Sequence, residues 1–216
     1  MARLVLVTPR TVDPTTFPAT LDAVLAAGDV ASLIVDVVAS PAVRQTIAAA
    51  LTPVAQARGV AVVVRNDSRT AGRAKADGVH IDGSAADLED ALATFHPNGI
   101  VGVGGLSNRH EAMEAGETAV DYVFFGDLDR AEAAEADRRA LDLAAWWVPL
   151  FEPPVVVMGG GSLDTLDAAI DSGAEFVALR DAVWSHAGGA AAAVAVAAER
   201  LAAAEAEAEA GSESDA

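Results

Sequence analysis

Short apolar segments alternate with segments of helical periodicity along most of the chain. The apolar segments recur about every 25 residues, and almost every position in them is hydrophobic. They are Leu4–Val7, Leu33–Val38, Ala61–Val64, Val79–Ile81, Ile100–Val103, Tyr122–Phe125, Val155–Met158 and Phe176–Leu179. Strands that are apolar throughout are typical of a parallel sheet whose two faces are both covered. The segments between them carry apolar residues three or four positions apart, which predicts amphipathic helices.

Eight strand and helix units in this order predict one (β/α)8 barrel, a TIM barrel, over residues 1–208. An open, doubly wound sheet is the alternative. The first strand would pair with the eighth only in the barrel, and we expect that pairing. Residues 209–216 are predicted to form a short, acidic, disordered C-terminal tail.

Glycine-containing turns follow the last two predicted strands. Gly159, Gly160 and Gly161 come directly after the seventh strand, and the turn Leu179–Asp181 follows the eighth. Glycine lets backbone N–H groups approach an anion, and the positive end of the next helix dipole points at the same place. Because (β/α)8 barrels often bind phosphate after strands 7 and 8, we predict a phosphate site here. A plain strand–helix turn is the alternative.

The charge composition restricts the partners. A net charge of −18 and a pI near 4.3 disfavour nucleic acids and anionic membranes as partners. Five of the fourteen basic residues lie between 58 and 75, which is either a cationic region for an anionic substrate or a solvated helix face. The chain has no cysteine and no strongly apolar run of membrane-spanning length, so we expect a cytoplasmic protein. Trp146 and Trp147 are expected to anchor a helix to the barrel or to form a homo-oligomer contact.

Polar residues follow the middle strands, at the barrel end where chemistry is expected. Asn66 and Asp67 follow the third strand, Asp87 lies beyond the fourth, and Asp127 follows the sixth. Carboxylate oxygens suit Mg²⁺, which keeps water and substrate phosphates among its ligands. Asp67 is therefore a candidate magnesium ligand. The alternative is that Asp67 only caps the following helix.

Six short motifs in this order resemble thiamine phosphate synthase and its relative TenI. The motifs cover roughly residues 3–185. They are RND at 65–67, ADGVHI at 76–81, IVGV at 100–103, DYVFFG at 121–126, VMGGGS at 157–162 and GAEFVAL at 173–179. The resemblance implies a (β/α)8 fold. It also implies that a pyrimidine methyl diphosphate is joined to a thiazole phosphate, with release of pyrophosphate and with Mg²⁺ as cofactor.

The resemblance assigns roles to individual positions. Asn66 would face the diphosphate and Asp67 would bind Mg²⁺, with Asp87 as a second metal ligand if two residues are inserted before it. Gly159 and Gly160 would hold the thiazole phosphate. The turn after the eighth strand would complete that cradle, and the Arg180 guanidinium there could add a bidentate phosphate contact.

Other positions depart from the family pattern. The family's second strand carries Gln, Arg and Lys, but here Asp36 is the only charged residue of that strand. The Ser of the family's fifth strand is Gly104, and the family's Thr-x-Thr-Lys loop after the sixth strand becomes an acid-rich stretch without Lys. Since these cations would neutralise the leaving diphosphate, we expect weak diphosphate binding and low synthase activity. The candidate replacements are Arg130, Arg138 and Arg139.

Two other functions fit the sequence. A TenI-like thiazole tautomerase needs a general acid or base near the ring, and Asp127 stands where TenI has His. Alternatively, the chain is a barrel that binds a phosphorylated ligand without synthase activity. In all three cases the expected partners are small phosphorylated molecules.

Overall fold

The computed structural model describes residues 2–130 and 133–214. Within these residues, eight parallel strands form a closed barrel in sequence order. The strands are β1 Arg3–Val7, β2 Val30–Val35, β3 Ala61–Arg65, β4 Gly78–Ile81, β5 Ile100–Val103, β6 Tyr122–Phe125, β7 Val155–Met158 and β8 Phe176–Leu179. β1 pairs with β8 through Leu4 and Val177, which confirms the predicted closure.

Helices follow the strands and form the outer layer. They are α1 Phe17–Leu25, α2 Pro41–Gln56, α3 Ser68–Ala74, α4 Ala85–Phe95, α5 Arg109–Gly116, α6 Arg138–Trp147, α7 Leu166–Asp171, α8 Asp181–Trp184 and α9 Ala190–Ser214. Side-chain caps begin several of them: the Ser40 hydroxyl accepts the Val43 N–H, and the Asn108 side chain accepts the Glu111 N–H. None of the described helices combines the length and apolar character that a membrane crossing requires.

The core has two layers, because successive strand residues point to opposite faces. Leu4 and Leu6 of β1 pack outward against the helices, and Trp147 of α6 is fully buried in the same layer. Val5 and Val7 point into the barrel, where they belong to a cluster with Phe124 and other strand residues. Since side chains fill the interior, a ligand site must lie at an end of the barrel.

The ends of β2 and of the last helix differ most clearly from the sequence prediction. β2 ends at Val35, three residues before the predicted end, so Asp36 lies in the loop at the carboxyl end of the barrel. Thr8 fixes it there: the Thr8 hydroxyl accepts the Asp36 N–H at 3.0 Å and donates to the Asp36 carbonyl at 3.1 Å. Helix α9 continues to Ser214, beyond the predicted domain boundary at residue 208. The disorder of the acidic tail stays a prediction, and residues 215–216 lie outside the described residues.

Candidate active site

Two neighbouring cavities open at the carboxyl ends of the strands, which we call the mouth. One has a volume of about 350 Å³ and is lined by residues that include Arg65, Asp82 and Arg139. The other, of about 380 Å³, lies between the segment after β6 and the glycine turn after β7. Both cavities are lined by Gly126 and Asp127, so Asp127 stands between them.

Arg65, the last residue of β3, is the centre of a charge network in the mouth. Its guanidinium lies 3.2 Å from the Asp36 carboxylate and 2.8 Å from that of Asp82. It also makes a bidentate contact with Asp129, in which Nη1 lies 3.0 Å from Oδ1 and Nη2 2.9 Å from Oδ2. Burial alone would lower the pKa of Arg65, but the bonds to Asp129 and Asp82 raise it overall, so this side chain stays a cation.

Two further arginines enter the network from other strands. Arg180, which follows β8, is almost fully buried, pairs with Asp36 and donates to the Leu128 carbonyl at 2.7 Å. Arg10, in the loop after β1, donates to Asp129 at 2.9 Å. The bonds from Arg65 and then Arg10 lower the pKa of Asp129 well below its usual range.

Because of this network, the mouth is less negative than the aspartates in the sequence suggest. The carboxylates of Asp36, Asp82 and Asp129 pair with three guanidinium groups, so they do not form an acidic rim without counter-charges. Arg139, one of the candidate replacements, lines the same cavity. The aspartates of the mouth therefore do not by themselves make it repel anions.

His80 and Tyr122 lie inside the barrel beneath this network. His80 Nδ1 lies 2.9 Å from the Tyr122 hydroxyl, and the two rings are stacked with their centroids 5.8 Å apart. Among the described residues, His80 Nε2 has no hydrogen-bond partner. Burial lowers the pKa of His80 to about 4, against the smaller opposing effect of Asp82. The imidazole is therefore neutral at pH 7.

Gly104 lies against the His80 imidazole, and its lack of a side chain leaves room for the ring. A Cβ at position 104 would lie 2.8 Å from His80 Nε2, closer than such atoms approach without a shift. A serine at this position would require the ring to move. The change from Ser to Gly is visible in the sequence, but its relation to His80 is not, because His80 is on β4 and Gly104, 24 positions later, directly follows β5.

The glycine turn after β7 lies in close contact with the backbone of the segment at residues 134–136. A Cβ on Gly160 would lie 2.8 Å from the Ala134 carbonyl oxygen and 2.8 Å from the Ala136 nitrogen. The N–H groups of the turn already have acceptors: Gly160 donates to Thr165 Oγ1 at 3.1 Å and Gly161 to the Ala133 carbonyl at 2.7 Å. The phosphate-binding role of Gly159 and Gly160 stays a prediction. It requires that a ligand replace the Ala178 carbonyl, which accepts the Gly159 N–H at 2.9 Å, and the Thr165 hydroxyl on Gly160.

The two candidate magnesium ligands both act as helix caps. The Asp67 carboxylate accepts the Thr70 N–H at 2.9 Å and the Thr70 hydroxyl at 2.8 Å, and it lies 3.6 Å from Arg44 Nε. Asp87 forms a capping box with Ser84 at the start of α4. Across the residues described, no three His, Cys, Asp or Glu side chains are grouped as a metal site requires. These donors do not fit the predicted magnesium site as they stand, and their metal role stays a prediction.

The other predicted site residues are distributed across the mouth. Asn66 adopts a left-handed conformation with φ 50°, and its amide bonds to Asp82 through Nδ2 at 2.5 Å and Oδ1 at 3.0 Å. Asp127 is exposed, and its Oδ1 accepts the Asp129 N–H at 2.8 Å. Arg180 points at Asp36 rather than out toward the predicted phosphate. The central role of Arg65 was not predicted, although the RND motif and the basic region at 58–75 both contain this residue.

The fold and the mouth together define a (β/α)8 barrel with arginines and a glycine turn at the end where such barrels bind ligands. The family described as thiamine monophosphate synthase matches residues 4–183. The chain is 37% identical over 193 residues to a thiamine-phosphate synthase of Rhodospirillum centenum, a match that covers 88% of this chain and 93% of the relative. A thiamine-phosphate synthase of Hyphomonas neptunium is 35% identical, with 88% and 89% covered. The chain therefore belongs to the thiamine monophosphate synthase family.

A solved structure supports the fold independently. Thiamine phosphate pyrophosphorylase from Pyrococcus furiosus superposes with a TM-score of 0.76, over 92% of this chain and 94% of that one. The sequence identity is 21%, so this likeness supports the barrel alone.

Proposed function

We propose that the protein is a transferase that joins a pyrimidine methyl diphosphate to a thiazole phosphate and releases pyrophosphate. The family membership supports this reaction. The observation that carries it is the pairing, across one mouth, of the Arg65 network with the glycine turn at Gly159–Gly161. The two substrates need two anion sites within reach of each other, and the two cavities that share Asp127 provide neighbouring spaces for them.

The proposed reaction is a substitution at the methylene carbon of the pyrimidine substrate. The carbon–oxygen bond to the diphosphate breaks, and the electron pair leaves with pyrophosphate. The thiazole nitrogen supplies the pair for the new carbon–nitrogen bond. Because negative charge collects on the leaving group, fixed cations near it lower the barrier. In this proposal Arg65 supplies that charge, and Asn66 lies beside it.

The glycine turn holds the second substrate in the same proposal. Backbone N–H groups of Gly159 and Gly160 bind the thiazole phosphate, while Arg180 holds Asp36 and the Leu128 carbonyl at the same end of the barrel. Holding both substrates in one orientation supplies much of the rate gain in such a coupling.

The same proposal includes Mg²⁺ as the cofactor and the cytoplasm as the location of the protein. A diphosphate commonly carries Mg²⁺ through its own oxygens, so the cation could enter with the substrate despite the cap roles of Asp67 and Asp87. A cytoplasmic location follows from the substrates, since phosphorylated small molecules do not cross membranes unaided.

The test is to incubate the purified protein with both substrates and Mg²⁺ and to measure thiamine phosphate and pyrophosphate. We expect the two products in equal amounts. A parallel reaction with a chelator tests the metal separately. A protein that binds thiazole phosphate but forms no product would be the non-synthase barrel. A TenI-like tautomerase would instead convert one thiazole isomer, with loss of activity in Asp127→Asn; no contact of the exposed Asp127 favours it.

A further inference from the structure

Resting on the proposed function, we propose that Arg65 and Arg10 bind the diphosphate, and that the Asp129 carboxylate occupies this pair until the diphosphate displaces it. The cations thus come from β3 and the loop after β1, not from the second strand or a lysine loop. Asp129 acts as an internal anion.

The geometry of the contact fits an exchangeable anion. Both Arg65 Nη atoms bond to the two Asp129 oxygens at 3.0 and 2.9 Å, and Arg10 Nη1 adds a third contact at 2.9 Å. The planar fork of a guanidinium binds a carboxylate and a phosphate in the same bidentate way. A diphosphate oxygen pair can therefore take the place of the Asp129 oxygens without rearranging either arginine.

Burial distinguishes Asp129 from the other two carboxylates on Arg65. The Asp129 side chain is 55% exposed, whereas Asp36 is 11% and Asp82 is 8% exposed. A carboxylate that leaves an arginine for water loses little when it is already half solvated, but a buried one loses much more. Asp129 is therefore the member of the network that a competing anion can displace.

The backbone beneath Asp129 does not need to move. Leu128, its neighbour in a short helical turn at 128–130, is 1% exposed and packs in the barrel interior. The Leu128 carbonyl also accepts the Arg180 hydrogen bond. A rotation of the Asp129 side chain alone can release the arginines.

The charge of the arginine network changes when Asp129 leaves. Once Asp129 leaves, Arg10, Arg65 and Arg180 face only Asp36 and Asp82, so the network has one net positive charge. Arg180 Nε is buried and has no hydrogen-bond partner among the described residues. Asp127 and Asp137 line the same cavity and oppose an anion, while Arg139 offsets one of them.

The test is calorimetric titration of the folded protein with inorganic pyrophosphate, with Mg²⁺ and with a chelator. Asp129→Asn removes the competing charge but keeps the size of the side chain. We expect it to bind pyrophosphate about tenfold more tightly in both conditions, since one charge-assisted contact no longer has to be broken. Asp129→Ala should change the affinity in the same direction. Asp142→Asn on α6 carries the same charge change outside the mouth lining and should leave the affinity unchanged.

The variant Arg65→Met tests the opposite change, because it removes the proposed anion-binding arginine instead of the competing carboxylate. It should weaken pyrophosphate binding at least about 30-fold, because the bidentate partner is lost. Unchanged or weaker binding in Asp129→Asn would overturn the inference, and weakening only with Mg²⁺ would make Asp129 a metal ligand instead. Thiamine phosphate synthesis without tighter binding in Asp129→Asn refutes this inference alone. Tighter binding without any thiamine phosphate refutes the proposed function and leaves the anion site standing.

Discussion

The two sides of the mouth are built from different parts of the chain. On the β7–β8 side, the groups proposed to bind a ligand are backbone N–H groups of the glycine turn, fixed by the path of the chain. On the β2–β4 side, they are charged side chains that reach across neighbouring strands to one another. A backbone site depends on a few glycines and is readable in the sequence, whereas a side-chain site can be assembled from any strand that ends nearby.

On the β2–β4 side of the mouth, the side-chain half, the arginines do not lie on the strand that carries cations in the family pattern. The family pattern has cations on the second strand, whereas here Asp36 directly follows that strand. Arg65 at the end of β3 and Arg180 after β8 both reach Asp36, so the missing cations enter from other strands. Low synthase activity, which the sequence predicted, stays untested, but the missing lysines no longer imply a mouth without cations.

The largest effect should come from removing the centre of the side-chain half. Arg65→Met leaves Asp36 and Asp82 without their shared cation and removes the charge near the leaving group. We expect kcat/KM for thiamine phosphate formation to fall about 10³-fold, or roughly 4 kcal/mol. The matched control is Arg58→Met, which breaks an exposed pair with Asp22. A loss of less than tenfold in Arg65→Met would mean that the diphosphate binds elsewhere.

The second prediction concerns folding rather than catalysis. Asp36→Asn leaves the almost fully buried Arg180 without its ion-pair partner. We expect the free energy of unfolding, from urea titration, to fall by about 3 kcal/mol, because an uncompensated buried charge is costly. Asp29→Asn breaks the exposed pair with Arg3 and should cost less than about 1 kcal/mol. Equal losses in the two variants would contradict the dependence of the buried Arg180 on Asp36.

The backbone half is tested by a substitution at its closest contact. Gly160→Asp places a carboxylate where the turn would bind phosphate, and its Cβ collides with the segment at Ala134 and Ala136. We expect thiazole phosphate affinity, measured by calorimetry, to fall about 100-fold. Gly72→Asp on α3, where a Cβ meets nothing within 4 Å, is the control for the added charge. Unchanged affinity in Gly160→Asp would remove the turn from the site.

The smallest effect should appear in the pH dependence of stability. The folded pKa of His80 is lowered from 6.5 to about 4, so the unfolded chain binds more protons between these values. This contribution to stability is therefore nearly complete above about pH 7, and the free energy of unfolding should fall by about 2 kcal/mol as the pH decreases to about 5. The variant His80→Asn should lose this contribution to the change of unfolding free energy with pH, whereas His110→Asn at the surface should keep it. Equal slopes in wild type and His80→Asn would mean that burial does not control this imidazole.

The sequence was sufficient for the fold because each strand and helix is encoded locally. The pairing of β1 with β8 followed from counting eight units, and the position of the glycine turn followed from the chain order. The site was predicted less completely. Asp67 and Asp87 were assigned as ligands because their residue type fits a metal, but each is held by a hydroxyl three residues away in its own helix cap.

The contacts of Arg65 and Arg180 lay beyond sequence reasoning for a different reason. Arg65 meets Asp129 across 64 positions, and Arg180 meets Asp36 across 144. No local pattern encodes such pairs, because they depend on which side chains reach the barrel axis. The Ala133 carbonyl on the glycine turn was equally invisible, since a backbone acceptor has no sequence signal.

The most direct test of the whole account is a crystal structure with pyrophosphate, Mg²⁺ and thiazole phosphate bound. We expect pyrophosphate oxygens on the Arg65 guanidinium, with the Asp129 side chain turned away, and the thiazole phosphate on the backbone of the Gly159–Gly161 turn. A structure in which Asp129 still holds Arg65 and both anions lie outside the two cavities of the mouth would contradict it.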